Sequence, residues 1–135
     1  MPSPLYTARF PVRWDDIKLG HVNNAVYFAY FEQARMEWLD AVLPADWIEH
    51  AGAVVLSNRC DYKRPVLYPS SLIVRVYGSA PGRTSFSQTY AVTVEGDEET
   101  VYAEGEAALV WVSRETERPT PLPDALREAL TAASA

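Results

Sequence analysis

Near the start of the chain, the spacing of apolar residues changes from every second residue to every third or fourth. In residues 6–14 every second residue is apolar, which is typical of a strand with one buried face. A polar stretch in residues 15–20 breaks this alternation. In residues 23–43 apolar residues recur at steps of three and four and surround most of the segment. The pattern predicts a strand followed by a long helix that is buried on most sides.

The predicted helix has a start signal and a stop signal. Asn23 or Asn24 is a natural N-cap, because its side-chain oxygen can accept one of the free N–H groups at a helix start. Pro44 ends the helix, since the residue before a proline disfavours helical backbone. Residues 46–52 are then expected to form a connector.

The rest of the chain has the composition of strands separated by turns. The predicted strands are residues 53–62, 72–77, 83–95 and 100–112. A hairpin turn is expected at residues 95–98, where the sequence reads EGDE. The tail from about residue 119 is interrupted by prolines and is expected to be peripheral, with a short helix at residues 124–132.

A helix that is apolar on most sides needs cover on most sides. A curved antiparallel sheet supplies that cover, with the help of a second subunit. The expected fold class is therefore α+β: an antiparallel sheet of about five strands wrapped around one long central helix, which is the hotdog fold. The chain has 135 residues and fits one domain, residues 1–135.

Charge and cysteine content argue against several classes of function. The formal net charge is −6, which opposes binding to the phosphate backbone of nucleic acids. Cys60 is the only cysteine, so we expect neither an intramolecular disulfide nor a cysteine-rich zinc site, and no metal is required for the function inferred below. No segment is typical of a targeting leader or of a membrane span of about 20 apolar residues, which predicts a cytoplasmic protein that does not bind membranes.

Four short motifs follow one another along the chain. They are RWDD at 13–16, GHVNN at 20–24, EQAR at 32–35 and RTSF at 83–86. Together they resemble the 4-hydroxybenzoyl-CoA thioesterase-like family of hotdog acyl-CoA thioesterases, from about Tyr6 to Leu126. The resemblance implies hydrolysis of an acyl-CoA or acyl-carrier-protein thioester to a free acid and a thiol, without a cofactor. It also implies a homodimer or homotetramer in which two subunits share each site.

The GHVNN segment has a physical basis for this chemistry. Gly20 permits a tight turn before the helix. The first N–H groups of the helix, around Val22, Asn23 and Asn24, have no acceptor within the helix and carry the positive end of its dipole. They are predicted to bind the substrate by holding the thioester carbonyl oxygen as it becomes an oxyanion, an effect of about 3 kcal/mol for one donor.

A loop residue is then needed to activate water or to attack the carbonyl carbon. The family carries an acid three residues before the glycine, but here that position holds Ile17, and counting forward from the preceding motif places Lys18 there. The loop is one residue short, and the predicted catalytic residues are Asp16 first, then Asp15 and His21. The structural alternatives are that both acids only favour the helix dipole and that His21 only fixes the turn by a hydrogen bond.

The remaining predicted contacts lie on the helix and on a later strand. Tyr27 is expected to line the acyl pocket, with a core role as the alternative. The resemblance places the CoA portion against Arg83 and Ser85. Glu32 is expected on the buried helix face, either paired with Arg35 one turn later or acting as a second catalytic acid.

Two other functions are compatible with the predicted fold. The missing acid favours a non-catalytic module that binds or senses acyl thioesters. A hotdog dehydratase or hydratase is the third possibility. It ranks low because such relatives use an Asp and a His at a different spacing, which this chain does not show.

Overall fold

The computed structural model describes residues 3–134, and it describes side chains up to residue 132. The helices are α1 (Tyr27–Val42), α2 (Trp47–His50) and α3 (Asp124–Ser134). The strands are β1 (Tyr6–Pro11), β2 (Ile17–Lys18), β3 (His21–Val22), β4 (Ala51–Tyr62), β5 (Ser71–Gly78), β6 (Ser85–Val94) and β7 (Ala103–Ser113). Two 3₁₀ turns, Trp14–Asp16 and Asn24–Val26, flank the small β2–β3 hairpin.

The five long strands form one antiparallel sheet that covers α1. Their order is β1-β5-β6-β7-β4, so β1 and β4 are the edges. Every second residue of β6 points towards the helix, where the side chains lie buried among those of α1. The predicted α+β class and the hotdog arrangement, a sheet of five strands around one long helix, are thereby confirmed.

A tight contact between helix and sheet lies in the N-terminal half of α1, at Phe31. The ring of Phe31 stacks on that of Tyr90, with centroids 4.7 Å apart and planes inclined by 8°. The edge of the same ring lies against Gly105 of β7, where a Cβ atom would be 2.3 Å from Phe31 Cε2. A side chain at position 105 would therefore push the helix away from the sheet.

The tail predicted to be peripheral contributes to the core. Leu122, Leu126 and Leu130 are buried and belong to the same apolar cluster as α1 and the sheet. Leu126 and Leu130, four residues apart, lie on one face of α3, which packs against α1 and β5, and Leu122 lies just before this helix.

The first strand is shorter than predicted. It ends at Pro11, and Trp14 belongs to a 3₁₀ turn with 67% of its surface exposed. The alternating pattern holds through Val12, which is buried and whose N–H donates to the carbonyl of Ser70. The expectation of a strand reaching residue 14 is wrong, because the chain leaves the sheet there and Trp14 packs against Tyr68 at the surface.

The polar stretch before the helix is more ordered than its composition indicated. Residues 17–22 form a two-stranded hairpin whose turn residues, Leu19 and Gly20, have φ of 53° and 86°. Positive φ at both positions is the geometry of a type I′ turn, which explains the glycine. The helix also starts later than predicted: Asn23 is the N-cap of the 3₁₀ turn, as expected, but α1 begins at Tyr27.

The other boundaries agree with the sequence pattern to within three residues. The main addition is α2, a single turn inside the predicted connector. Its Trp47 is buried and its indole N–H donates to the carboxylate of Asp40 on α1, over 2.8 Å. Among residues 3–134, no helix is both long enough and apolar enough to span a membrane.

The contact between Phe31 and Gly105 can be tested by adding one methyl group. Gly105→Ala should lower the free energy of unfolding by roughly 1–3 kcal/mol, because the Cβ cannot be placed without moving the helix or the ring. Gly52→Ala is the matched control, since a Cβ there meets nothing within 4 Å. Urea unfolding followed by tryptophan fluorescence measures both. Equal stability of the two variants would contradict the close approach of helix and sheet.

Candidate active site

A cleft of about 210 Å³ lies at the start of α1, between two segments that are far apart in sequence. Its lining residues are His21, Val22, Asn24, Tyr27, Tyr62, Lys63, Arg64 and Pro65. Two hydrogen bonds join the segments. The N–H of Val22 donates to the carbonyl of Val66 over 2.9 Å, and the hydroxyl of Tyr62 donates to the carbonyl of Asn24 over 2.7 Å.

The N–H groups at the helix start are not all free. Those of Val22 and Asn23 donate to the carbonyls of Val66 and Asp16, at 2.9 and 2.8 Å. The expectation that these two N–H groups lack acceptors is wrong, because the loop after β4 and the 3₁₀ turn before the β2–β3 hairpin supply them. Within residues 3–134, the N–H of Asn24 has no acceptor, since it opens the 3₁₀ turn. Asn24 is therefore the donor of this segment that can face a ligand in the cleft.

The side chain of Asn23 performs the capping role expected of it. Its Oδ1 accepts the N–H of Ala25 over 3.0 Å. Its own carbonyl accepts the N–H of Val26, also over 3.0 Å. Asn23 therefore stabilises the turn that presents the N–H of Asn24.

His21 lines the cleft beside that N–H group. Its Nδ1 lies 3.0 Å from the carbonyl oxygen of Val22, which can only accept a hydrogen bond. The bond therefore requires a proton on Nδ1, and in a neutral ring Nε2 then carries the lone pair. This geometry fixes the tautomer, as in the structural interpretation, and it also leaves a base at the cleft.

Neither predicted carboxylate lines the cleft. Asp15 is an exposed residue in a surface ion pair with Arg13, over 3.6 Å. Asp16 is half-buried, and its Oδ2 accepts the hydroxyl of Tyr30 over 3.1 Å. Burial, together with this hydrogen bond, raises the pKa of Tyr30 to about 12, so the hydroxyl stays protonated and donates. The main chain of Asp16 is tied to Asn23, which keeps its carboxylate near the start of α1.

A group of aromatic residues forms one wall of the cleft. Tyr27 is 2% exposed, and its ring contacts that of Tyr62 edge to face, with centroids 5.1 Å apart. Burial raises the pKa of Tyr27 and of Tyr62 to about 12. Burial also raises the pKa of the nearby Cys60 thiol, which opposes a role as a thiolate nucleophile. Tyr27 is thus a core residue with one side at the cleft, and its contact with an acyl chain stays a prediction.

Sequence reasoning missed the contribution of residues 62–65. They begin at Tyr62, the last residue of β4, and carry no motif that sets them apart. Only the pairing of β4 with β7 brings them opposite the helix start. The place of Tyr62 at the cleft could have been predicted only with knowledge of this long-range pairing.

Arg83 and Ser85 lie at the other end of the sheet. Ser85 is level with Val110 of β7, and Val110 is level with Val54 of β4. Tyr62 is eight residues further along β4, a distance of about 27 Å at the rise of a strand. A single chain therefore does not bring Arg83 and Ser85 to the cleft.

The pair formed by Glu32 and Arg35 differs from the expected one. Arg35 is the buried member, at 4% exposure, whereas the side chain of Glu32 is 69% exposed, so the expectation of a buried carboxylate is wrong. Their charged groups are 4.0 Å apart, and Arg35 also donates to the hydroxyl of Tyr90 over 2.9 Å. Tyr90 in turn donates to Gln88 over 2.9 Å. This network lies inside the core and supports the structural interpretation.

One group of side chains among the described residues has the spacing to share a metal ion. It consists of Asp46, Glu49 and His50, all exposed, on and beside α2. The group precedes Ala51 at the start of β4, whereas the cleft contains Tyr62 at the end of that strand. It therefore takes no part in the cleft.

A family model and a curated relative match most of this chain. The family model described as thioesterase-like superfamily matches residues 12–130. The protein YsmA of Bacillus subtilis (strain 168), described as uncharacterized, is 30% identical over 112 residues, which are 82% of this chain and 74% of that protein. The matched residues include α1 and the strands that carry the cleft.

Two solved structures are similar over nearly the whole chain. The PA2801 protein of Pseudomonas aeruginosa, named as a candidate thioesterase, is 37% identical with a TM-score of 0.87, and the match covers 94% of this chain and 98% of that one. A thioesterase of Thermus thermophilus, solved with coenzyme A and Zn, is 38% identical with a TM-score of 0.81. That match covers 98% of this chain and 96% of the Thermus thermophilus chain.

Proposed function

Because this chain belongs to the thioesterase-like superfamily, we propose that it hydrolyses an acyl thioester at the cleft beside α1. The observation that carries the proposal is the pairing of a free donor and a base. Asn24 and His21 both line the cleft; the N–H of Asn24 has no acceptor among residues 3–134, and the His21 ring is oriented by its hydrogen bond to Val22. A thioester carbonyl held between them has a donor for its oxygen and a base for the attacking water.

In the proposed reaction the carbonyl oxygen accepts the N–H of Asn24. Water adds to the carbonyl carbon as its proton moves to the base, and the negative charge develops on the oxygen held by Asn24. The carbon–sulfur bond then breaks, and the sulfur leaves as a thiol after taking a proton. One oriented donor of this kind contributes about 3 kcal/mol to stabilising the oxyanion.

Three residues are proposed as the base, and the geometry ranks them. His21 lines the cleft and carries a lone pair on Nε2 when Nδ1 donates to Val22. Asp16 is the loop carboxylate nearest to the helix start, but it lies outside the lining and already accepts the hydroxyl of Tyr30. We therefore place His21 first and Asp16 second, and the exposed Asp15 third.

For the leaving group we propose coenzyme A, with an acyl carrier protein as the alternative. Lys63 and Arg64 line the cleft, and both are exposed. Neither forms an ion pair with a described residue. These cations suit the phosphate groups of coenzyme A. The Thermus thermophilus relative, solved with coenzyme A, supports the same class of substrate.

A second candidate function is non-catalytic binding of acyl thioesters. It is favoured by the absence of any carboxylate among the residues that line the cleft. In that case the N–H of Asn24 would hold the carbonyl in its ground state and no thiol would be released.

The release of thiol distinguishes the two functions. We expect the protein to liberate coenzyme A from at least one member of a panel of short, long and aromatic acyl-CoA substrates, followed with a thiol reagent. Asn24→Pro removes the N–H at a turn position that tolerates proline, and should lower kcat by about 100-fold or more. Asn24→Ala keeps the N–H and should lose far less. Binding of the panel without release would establish the non-catalytic function instead.

Substitutions that remove the basic atom test the two leading candidates for the base, His21 and Asp16. His21→Gln should lower kcat by roughly 100-fold, because the lone pair at Nε2 is lost. Asp16→Asn should have a smaller effect, since it alters only the acceptor for Tyr30. Both are measured on the substrate that the panel identifies. A large loss in Asp16→Asn with an active His21→Gln would transfer the role to the loop carboxylate.

We also propose that the active form is a homodimer, with a homotetramer as the alternative. The edge strand β4 carries two exposed apolar side chains, Val54 at 48% and Leu56 at 65%. Such an edge favours pairing with a second strand. Antiparallel pairing of β4 with its copy would bring the partner's Ser85 end of the sheet towards Tyr62. This arrangement gives Arg83 and Ser85 a role at the cleft that one chain alone does not provide.

A charge on the edge strand tests this assembly. Leu56→Lys should give the mass of one chain in light scattering and should lower activity strongly, because a lysine on the edge blocks strand pairing. Leu67→Lys is the control, since Leu67 is similarly exposed, at 59%, but lies in a loop. We expect it to keep the mass of the wild-type protein. Activity in a Leu56→Lys monomer would show that one chain suffices.

A further inference from the structure

We propose that Tyr62 is a positioning residue for the reaction: its hydroxyl holds the carbonyl of Asn24 and thereby directs the N–H of Asn24 into the cleft. The inference rests on the proposed thioester hydrolysis and assigns a task to a residue that carries no motif. Tyr62 does not touch the reacting atoms in this role. It acts through the backbone of Asn24.

The carbonyl of Asn24 receives two donors. The hydroxyl of Tyr62 donates over 2.7 Å, and the N–H of Tyr27 donates as the 3₁₀ turn closes. On the other side of the residue, the carbonyl of Asn23 accepts the N–H of Val26 over 3.0 Å. Both peptide groups that flank the Cα of Asn24 are therefore held, and the N–H is left without an acceptor among residues 3–134.

Most of these restraints are local to the turn, and Tyr62 is the exception. The 3₁₀ turn has three residues, and such short turns have poor hydrogen-bond geometry. Tyr62 lies 38 residues further along the chain, at the end of β4. Its hydroxyl therefore ties the turn to the five-stranded sheet, which does not move with the turn.

The ring of Tyr62 is itself oriented by a buried neighbour. It meets Tyr27 edge to face at 5.1 Å, with planes inclined by 79°. Tyr27 is 2% exposed and is part of the core, whereas Tyr62 is 41% exposed. Replacing Tyr62 with Phe keeps this ring contact and changes a partly exposed position. The fold should tolerate the change.

The loss of the hydroxyl should affect the transition state more than substrate binding. The carbonyl oxygen gains charge only as water adds, so a misdirected N–H weakens the interaction that appears at that step. We expect Tyr62→Phe to lower kcat by about tenfold, with KM within roughly twofold of the wild-type value. A purely structural role would instead lower the melting temperature and leave kcat per folded molecule unchanged.

Tyr6→Phe provides a matched control. The hydroxyl of Tyr6 donates to Oε1 of Glu37 over 3.1 Å, between β1 and α1. Neither residue lines the cleft, so the variant removes a tyrosine hydrogen bond that has no link to Asn24. We expect kcat and KM of this variant to equal those of the wild-type protein.

The pH dependence separates positioning from proton transfer. The groups facing the Tyr62 hydroxyl are Cys60 and Tyr27, with Lys63 and Arg64 on the same cleft. Because the pKa of Tyr62 is raised to about 12, the hydroxyl stays protonated through roughly pH 6 to 9. The ratio of wild-type kcat to Tyr62→Phe kcat should therefore be constant over that range. A ratio that varies with pH would overturn the positioning role in favour of proton transfer.

The same experiment separates this proposal from the one on which it rests. An active wild-type protein with an unchanged kcat in Tyr62→Phe would overturn the role of Tyr62 alone. A wild-type protein that releases no coenzyme A across the panel would overturn both proposals. A selective loss of kcat in Tyr62→Phe, with Tyr6→Phe unaffected, would establish the role of Tyr62.

Discussion

The separation between α1 and the sheet depends on the contact of Phe31 with Tyr90 and Gly105. One face of the Phe31 ring stacks on Tyr90, and its edge occupies the space that a side chain at position 105 would fill. Close packing of this kind costs free energy when even one methyl group is added. This contact therefore helps to fix the position of α1. The 3₁₀ turn at residues 24–26 leads directly into α1, so its position depends on that of the helix.

Hydrogen bonds between main-chain groups connect this packed region to the cleft. Val22 is joined to Val66, and Asn23 is joined to Asp16, so the loop after β4 and the 3₁₀ turn before the hairpin both contact the helix start. These bonds use the donors that sequence reasoning had assigned to the substrate. Among the described residues, the N–H of Asn24 is the donor of residues 22–24 that has no acceptor. Hydrogen bonds to the carbonyls of Asn23 and Asn24 hold the backbone on both sides of it.

Periodicity predicted much of this fold because its signals are local. The long helix, the strands and the cap at Asn23 are all visible in neighbouring residues, and the structure confirms them. The exposure of Trp14 and the acceptor for Val22 depend on partners far along the chain, which no local pattern encodes. The contact of Tyr62 with Asn24 could not be predicted for the same reason. Arg83 and Ser85 show the limit most clearly, since their distance from the cleft becomes visible only from the strand register.

The composition of the cleft bears on the kind of catalysis that it can support. A thiol with a pKa near 8.5 is a far better leaving group than an alcohol or amine, so expulsion of sulfur makes little demand on a strong acid. The demanding step is the addition of water, in which charge appears on the carbonyl oxygen. In the proposed mechanism, the N–H of Asn24 and the ring of His21 meet that demand without a carboxylate in the cleft lining. The short loop before Gly20 is then compatible with thioester hydrolysis, provided that the direction of the Asn24 N–H is maintained by the sheet.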